Sequence, residues 1–314
     1  MCFKFLKNLF ATVLFLICLP SLAQKIDEDR LLKHLEYLSS DQLAGRATLS
    51  EGSQKAKIYI LENLTTLELV EPLYPDFIQY FSFENTRRKQ VYEDAANIVA
   101  LIPGSETNKV IVITAHYDHV GVGRVNAEGD SIYNGADDNA SGTSALLVLA
   151  DYFSKNRPKH SIVFAALDAE ELGLRGARAL LEDFPYPMEQ IVLNVNMDMI
   201  SRNDQNEIFA SGTHYNPYLK DILEKAAANS SPTLKFGHDI PGTGREDWTK
   251  SSDHGAFYEK KVPHIYFGVE DHQDYHKPSD EFGNIQQEFF INSANLILKC
   301  ILALDQELLQ SEKK

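Results

Sequence analysis

The run NGADDNASG, Asn134 to Gly142, sets two carboxylates side by side in a loop of Gly, Asn and Ser that opens into an apolar helix. Adjacent like charges repel, so Asp137 and Asp138 together suit a proton, a base or a cation. A solvated Asx turn ending in a helix cap would use the same letters, and the neighbouring segments decide between the two. TAHYDHVG (Thr114 to Gly121) lies upstream, LDAEELG (Leu167 to Gly173) downstream, and Asp198 and Asp274-Tyr275-His276 follow. Together they offer imidazoles and carboxylates with no thiolate, a set that suits Zn2+ and, less tightly, Mn2+ or Co2+. One catalytic zinc needs only about three protein ligands plus water. Two ions roughly 3.5–4 Å apart around a bridging carboxylate would use the set better. His116 and Asp118 are two residues apart and point the same way on extended chain, which places Asp118 to orient a ligand rather than to bind. Of Glu170 and Glu171, adjacent and diverging, one can ligate while the other faces substrate as general base, the machinery of metal-assisted hydrolysis.

These residues need a scaffold that gathers them. Apolar runs over 97–102, 109–115, 161–167, 190–197 and 262–269 read as buried strands, and 77–83 alternates like an edge strand. Between them lie helical patterns: one capped by Asp27 with Leu31, Leu32, Leu35 and Leu38 on its apolar face, one capped by Ser53, others over 141–153 and 174–184, one opening at Pro217, and a long last one capped by Asn284. Strands alternating with helices predict an α/β fold, a three-layer α/β/α sandwich around a mostly parallel mixed sheet. In such a sheet ligands bind beyond the carboxyl ends of the strands, where His116, Asp118, Asp168, Glu170, Glu171, Asp198 and His276 all fall. No internal repeat or linker divides the chain, so residues 24–314 are expected to form one domain. The loop from Gly237 to Asp253 is long, polar and Gly-rich, as functional loops often are.

The first 23 residues read as a secretory signal: Lys4 and Lys7, an apolar run from Leu9 to Leu19, and a small-x-small site at Ser21-Leu22-Ala23. Ile17 before Cys18 argues against a lipoprotein anchor. Cleavage removes two lysines and no acid, taking the formal net charge from −15 to −17, and leaves Cys300 as the one cysteine. A periplasmic or extracellular protein is expected, held by its core and bound metal rather than by disulfides. So acidic a chain excludes nucleic acid and anionic membrane as partners. Its oligomeric state is left open.

With those motifs in hand the chain resembles metallopeptidase family twenty-eight, the co-catalytic zinc exopeptidases, which include leucyl-type aminopeptidases, glutamate carboxypeptidase and, on the same fold, glutaminyl cyclases. TAHYDH, NGADDNASG, DAEELG, NMDM, SSDH and DYHKPSD occur in the family's order, over nearly the whole chain after the signal. The resemblance implies His116 and Asp198 on one zinc, Glu171 and His276 on the other, Asp137 as the bridging carboxylate, and Glu170 as the general base that takes a proton from the bridging water and passes it to the leaving amine. It implies Asp118 as the group that orients His116 and Tyr275 as a stabiliser of the oxyanion. Arg245, Asp253 and His254 are placed around the substrate pocket, and His119 is read as a loop histidine. The expected activity is that of an aminopeptidase on peptides. Carboxypeptidase or dipeptidase specificity, a single-zinc glutaminyl cyclase and a catalytically dead binding domain are the competing readings. The last is disfavoured because every ligand position and the base are filled.

Overall fold

Apolar runs of seven residues, buried from end to end, make the middle of the sheet: β4 (Val110–His116) and β7 (Ser161–Leu167) have no exposed residue. The computed structural model describes residues 24–86, 89–107 and 109–312. The signal sequence lies outside them. The remaining strands are β1 (Glu71–Pro72), β2 (Ile78–Asn85), β3 (Gln90–Ile102), β5 (Gly121–Val122), β6 (Ile132–Tyr133), β8 (Ile191–Met197), β9 (Glu207–Ser211), β10 (Thr233–Phe236) and β11 (His264–Gly268). The helices are α1 (Glu28–Leu38), α2 (Glu51–Thr65), α3 (Gly142–Lys155), α4 (Arg175–Glu182), α5 (Pro217–Ala226), α6 (His254–Glu259) and α7 (Gln287–Glu312).

Nine strands form one sheet in the order β1-β3-β7-β4-β8-β11-β9-β10, with β2 also on β3. The four central strands β7, β4, β8 and β11 run parallel. The flanks turn against them, since β3 pairs antiparallel with β7 and β9 with β11. The sheet is therefore mixed, with four parallel strands at its centre and a second parallel pair, β9 and β10, at one edge. Alternate residues of each strand serve opposite layers. Ile111 and Ile113 join Leu31, Leu35, Ile60, Leu146, Phe290 and Ile297, from α1, α2, α3 and α7, in the larger core. Val110 and Val112 join Leu180, Leu181 and Phe257, from α4 and α6, in the smaller one.

The helix ends differ in detail from the sequence expectation. Asp27 caps α1 as expected, its side chain accepting from Arg30 N. The cap of α2 is Ser50, whose Oγ accepts from Ser53 N at 3.1 Å, while Ser53 is buried within the helix. Asn284 sits in a separate 3-10 turn, and α7 begins at Gln287. By length and composition α7 could cross a membrane, but Phe290, Ile297, Cys300, Ile301 and Leu304 along it are fully buried against the sheet. Strands β9 and β10 were not expected: they are short and only partly apolar.

One buried titratable group lies on this scaffold away from the sheet edge. His34 of α1 is 3% exposed and its Nδ1 lies 2.8 Å from the Tyr59 hydroxyl of α2. Burial, with Arg30 nearby, lowers its pKa to about 4. The folded state thus refuses a proton that the unfolded chain takes up near pH 6.5, so this contribution is full above pH 6.5 and is lost as the pH falls towards 4. His34→Gln, which keeps a polar group but does not titrate, should flatten the acid side of the stability profile in urea titrations between pH 7 and 4, by at most about 3 kcal/mol. An unchanged slope would remove His34 from the account.

Candidate metal centre

The centre is assembled where the parallel strands end. β4 finishes on His116, which is 1% exposed. The chain is then pinned by Tyr117 N donating to Leu167 O and His119 N to Arg46 O. The Asp137-Asp138 segment caps the same edge from above, and its geometry demands glycine at 135. There φ is +56°, and a Cβ would sit 2.1 Å from Asp138 O and 2.6 Å from the His119 ring. Arg46, read in the sequence only as part of a loop, is fully buried beneath. It donates from Nε to Tyr117 O at 2.8 Å, from Nη1 to Asn134 O at 2.6 Å and to Leu38 O, and from Nη2 to Gly135 O at 3.0 Å. Burial brings its pKa down to about 10, against the pull of Asp138 and Asp280, so it stays charged at neutral pH. One planar guanidinium thereby ties the end of α1 to two segments, the one that carries His116 and His119 and the one that carries Asp138.

Two donor groups result, and they share Asp138. Its Oδ1 lies 3.4 Å from His116 Nε2, which is also 3.4 Å from Asp198 Oδ2. Its Oδ2 lies 3.0 Å from His276 Nε2, which is 3.3 Å from Glu171 Oε1. A carboxylate with one oxygen turned to each group is a bridge, so the bridging position belongs to Asp138 and not to Asp137. Asp137 is turned away: its Oδ1 accepts from Ser201 N and Oγ, both at 2.7 Å, and its Oδ2 lies 3.1 Å from His272 Nε2. The kink at Asp138 and Asn139 explains the difference, because their non-helical dihedrals break the helical turn and aim neighbouring side chains apart. His119 is the other correction. It is fully buried, and its Nδ1 lies 2.8 Å from Glu171 Oε1 and 3.7 Å from Asp138 Oδ2. The signal was present in the spacing His116-x-x-His119 around Asp118. His119 Nδ1 and Nε2, Glu171 Oε1 and Asp198 Oδ1 are buried without a hydrogen-bond partner. Buried polar atoms left this way are costly, and an oxygen- and nitrogen-loving cation such as zinc satisfies them.

Asp118 acts on the glutamates more than on the histidine. His116 Nδ1 faces the Asp118 backbone carbonyl at 3.1 Å, and the Asp118 carboxylate lies 3.7 Å away. That carboxylate instead accepts from Glu170 N at 3.0 Å and from Glu171 N at 3.3 Å, fixing which glutamate turns to which side. Asp280, noted in the sequence as closing the last loop, likewise accepts from Asp137 N and Asp138 N. Electrostatics separates the carboxylates further. Burial works against ionised Asp138, but His119, His116 and His276 outweigh it and hold its pKa well below the usual range. Glu171, against burial and Asp138, is drawn down to about 2 by His119 and His276. Against burial, Asp138 and Glu171 bring His276 up to about 10. Burial holds Glu170 well above the ordinary carboxylate range despite His116, with Asp253, Glu171 and Asp198 adding to the rise. Histidine protons here stand where a cation would sit, so metal binding must displace them.

A half-open cavity of about 470 Å³ lies over the donors, lined by Asp138, Glu170, Asp198, Tyr275 and His276 on its floor. Met199, Trp248, Tyr266 and Val269 form an apolar wall, and Arg245, Asp247 and Asp271 also line it. Arg245 thus lies where the sequence placed it. Asp253 and His254 do not line the cavity but are fully buried. His254 Nε2 lies 2.8 Å from Trp248 O, and burial pushes the Asp253 carboxyl up to about 7.

The fold is a three-layer α/β/α sandwich with a cluster of imidazoles and carboxylates gathered at its sheet edge. Residues 97–301 match the model of peptidase family M28, and the chain belongs to that family. A protein of Pyrenophora tritici-repentis described as a probable zinc metalloprotease is 27% identical over 205 residues, 57% of this chain and 46% of that protein. The chain spans less than half the length of such curated relatives. Among solved structures, an aminopeptidase from Aneurinibacillus superposes with a TM-score of 0.71 at 16% identity, covering 89% of this chain and 94% of that one. The glutaminyl cyclase of Bacteroides thetaiotaomicron superposes with a TM-score of 0.69 at 16% identity, covering 88% and 98%. At such identities these likenesses concern the fold.

Two substitutions test the centre. Asp138→Ala should purify without bound zinc, whereas Asp137→Ala should keep it and unfold more easily, by about 1–3 kcal/mol for each donor left unpaired. Elemental analysis showing the reverse would restore Asp137 as the bridge. Arg46→Lys should lose about 3 kcal/mol or more in urea titrations, because one ammonium cannot reach the carbonyls that the guanidinium serves.

Proposed function

We propose that this chain is an exported exopeptidase that uses two zinc ions to remove residues from the amino termini of peptides. The observation that carries this is Asp138, which turns one oxygen to His116 and the other to His276. His116 and Asp198 would hold one ion, Glu171 and His276 the other, with Asp138 between them. Zinc bound there supplies a Lewis acid for the scissile carbonyl and brings the pKa of water towards neutrality. The protein's own groups do the rest. Glu170 lines the cavity beside Asp138 and Asp198, and burial raises its pKa above the ordinary carboxylate range, which strengthens it as a base for a water proton that it would return to the leaving amine. Asp118 keeps that carboxylate turned inward through the Glu170 N–H. Tyr275 stacks on His276 with ring centroids 4.0 Å apart. Burial and the surrounding carboxylates keep its hydroxyl protonated, and so able to donate to an oxyanion.

The cavity favours an amino terminus over a carboxyl terminus. With Asp138, Asp198 and His276 taken up by the ions, Asp247 and Asp271 remain on the lining against one guanidinium, Arg245, a balance that supports an ammonium group over a carboxylate there. Met199, Trp248, Tyr266 and Val269 offer an apolar wall to the terminal side chain. The basic start, apolar run and small-x-small site of residues 1–23 support export. Mass spectrometry of a mixed peptide panel incubated with the zinc-loaded protein should show loss of single residues from the amino end. Glu170→Ala should slow this by about 10²–10⁴-fold with zinc content unchanged. Trimming from the carboxyl end, loss of ammonia from Gln-initiated peptides, or near-normal turnover in Glu170→Ala would each overturn the proposal.

A further inference from the structure

We infer that His119 is a direct fourth protein ligand, closing the coordination of the zinc held by Asp138, Glu171 and His276 and leaving the ion at His116, Asp138 and Asp198 as the open, substrate-facing one. This rests on the two-zinc reading above. The ligand atoms of His119, Asp138, Glu171 and His276 all lie within 4.8 Å of one another. Four of the six edges between them, each from an imidazole to a carboxylate, are 2.8, 3.0, 3.3 and 3.7 Å. Bonds of about 2.0–2.1 Å around a tetrahedral zinc put its ligands about 3.3 Å apart, so this skeleton has the size of a zinc tetrahedron.

Two further observations point the same way. His119 Nδ1 and Glu171 Oε1 approach to 2.8 Å, yet neither forms a hydrogen bond of normal geometry. A close approach without hydrogen-bond geometry is what two ligands of one ion make. His119 is also locked in place: it is fully buried, its backbone N–H is held by Arg46 O, and its ring fills the space that Gly135 leaves open. A side chain built into the core with its Nδ1 turned to two carboxylates, Glu171 and Asp138, is better explained by a cation between them than by packing.

The other group has three protein donors, His116, Asp138 and Asp198. Asp138 and Asp198 line the cavity together with Glu170, whereas of the four donors of the first group His119 and Glu171 do not and only Asp138 and His276 do. Four protein ligands mark a site that holds its metal, and three with a vacant position mark a site that works on substrate. The pair is thus asymmetric: one ion is an anchor, and the other faces the reacting bond beside the general base.

The test is cadmium-113 NMR of the protein loaded with cadmium and labelled with 15N-histidine. Two bound cadmium ions should show coupling to three imidazoles, those of His116, His119 and His276. His119→Gln should lose one coupling and keep the others. In chelator competition that variant should release one ion more than about 100-fold more readily, beyond what loss of a hydrogen-bonding neighbour costs, and the other ion with little change. Two cadmium ions coupled to only two imidazoles, both surviving in His119→Gln, would overturn the inference and leave the two-ion reading standing. A single cadmium per chain at saturation would overturn the two-ion reading and the closed-and-open division with it.

Discussion

Everything at the sheet edge answers to one constraint, the crowding of carboxylates that water hardly reaches. Asp118, Asp137, Asp138, Asp168, Asp198, Asp253 and Asp280 are all buried, with Glu170 and Glu171 among them. Buried anions are tolerated only when paired or hydrogen-bonded, and the fold sorts its own into classes. Asp118 and Asp280 are satisfied by backbone N–H groups, Asp168 by its own loop and by Ala96 N, and Asp137 by Ser201 and His272. Asp138, Glu171 and Asp198 are given imidazoles, which can yield their place to a metal. Asp253 is given no hydrogen-bond partner, and burial raises its pKa until it is largely protonated below neutral pH. The chemistry of the site is what remains after the structural carboxylates have been neutralised by the scaffold.

That sorting depends on rigid placement. The central strands deliver His116, Asp168 and Asp198 at fixed heights, because β4, β7 and β8 are in parallel register and packed on both faces. The connecting segments have no such register of their own. Arg46 supplies it by collecting carbonyls from Leu38, Tyr117, Asn134 and Gly135. Its charge lies behind the acidic cluster and moderates it without occupying a donor position.

Much of this was legible in the sequence, and the parts that were not share a cause. Strands such as KVIVITA and SIVFAAL announce themselves because both faces are buried, and the carboxyl-end rule then puts His116, Glu170, Glu171 and Asp198 together. Which of Asp137 and Asp138 points inward is a matter of a few dihedral angles at a kink, and residue types carry no record of it. His119 was read as a loop residue because irregular chain has no period from which a direction can be inferred. The cap of α2 moved from Ser53 to Ser50 since both are serines ahead of one apolar face. Strands β9 and β10 escaped notice because half-buried, mixed sequences resemble loops. Periodic structure is readable from pattern, whereas the direction of a side chain on irregular chain is decided by tertiary contacts.

The donors of the centre come from widely separated parts of the chain, from His116 to His276, and Asp138 belongs to both groups. An ion bound there would tie these distant segments as a cross-link ties loops, in a chain whose one cysteine among the described residues, Cys300, is buried on α7. A disulfide is set once, by oxidation. A metal staple is set by the free metal around it, each tenfold excess over its dissociation constant adding about 1.4 kcal/mol to the folded state. On the two-zinc reading proposed above, durability is coupled to the zinc of the surrounding medium, so that the ion proposed for turnover also governs how long the molecule lasts.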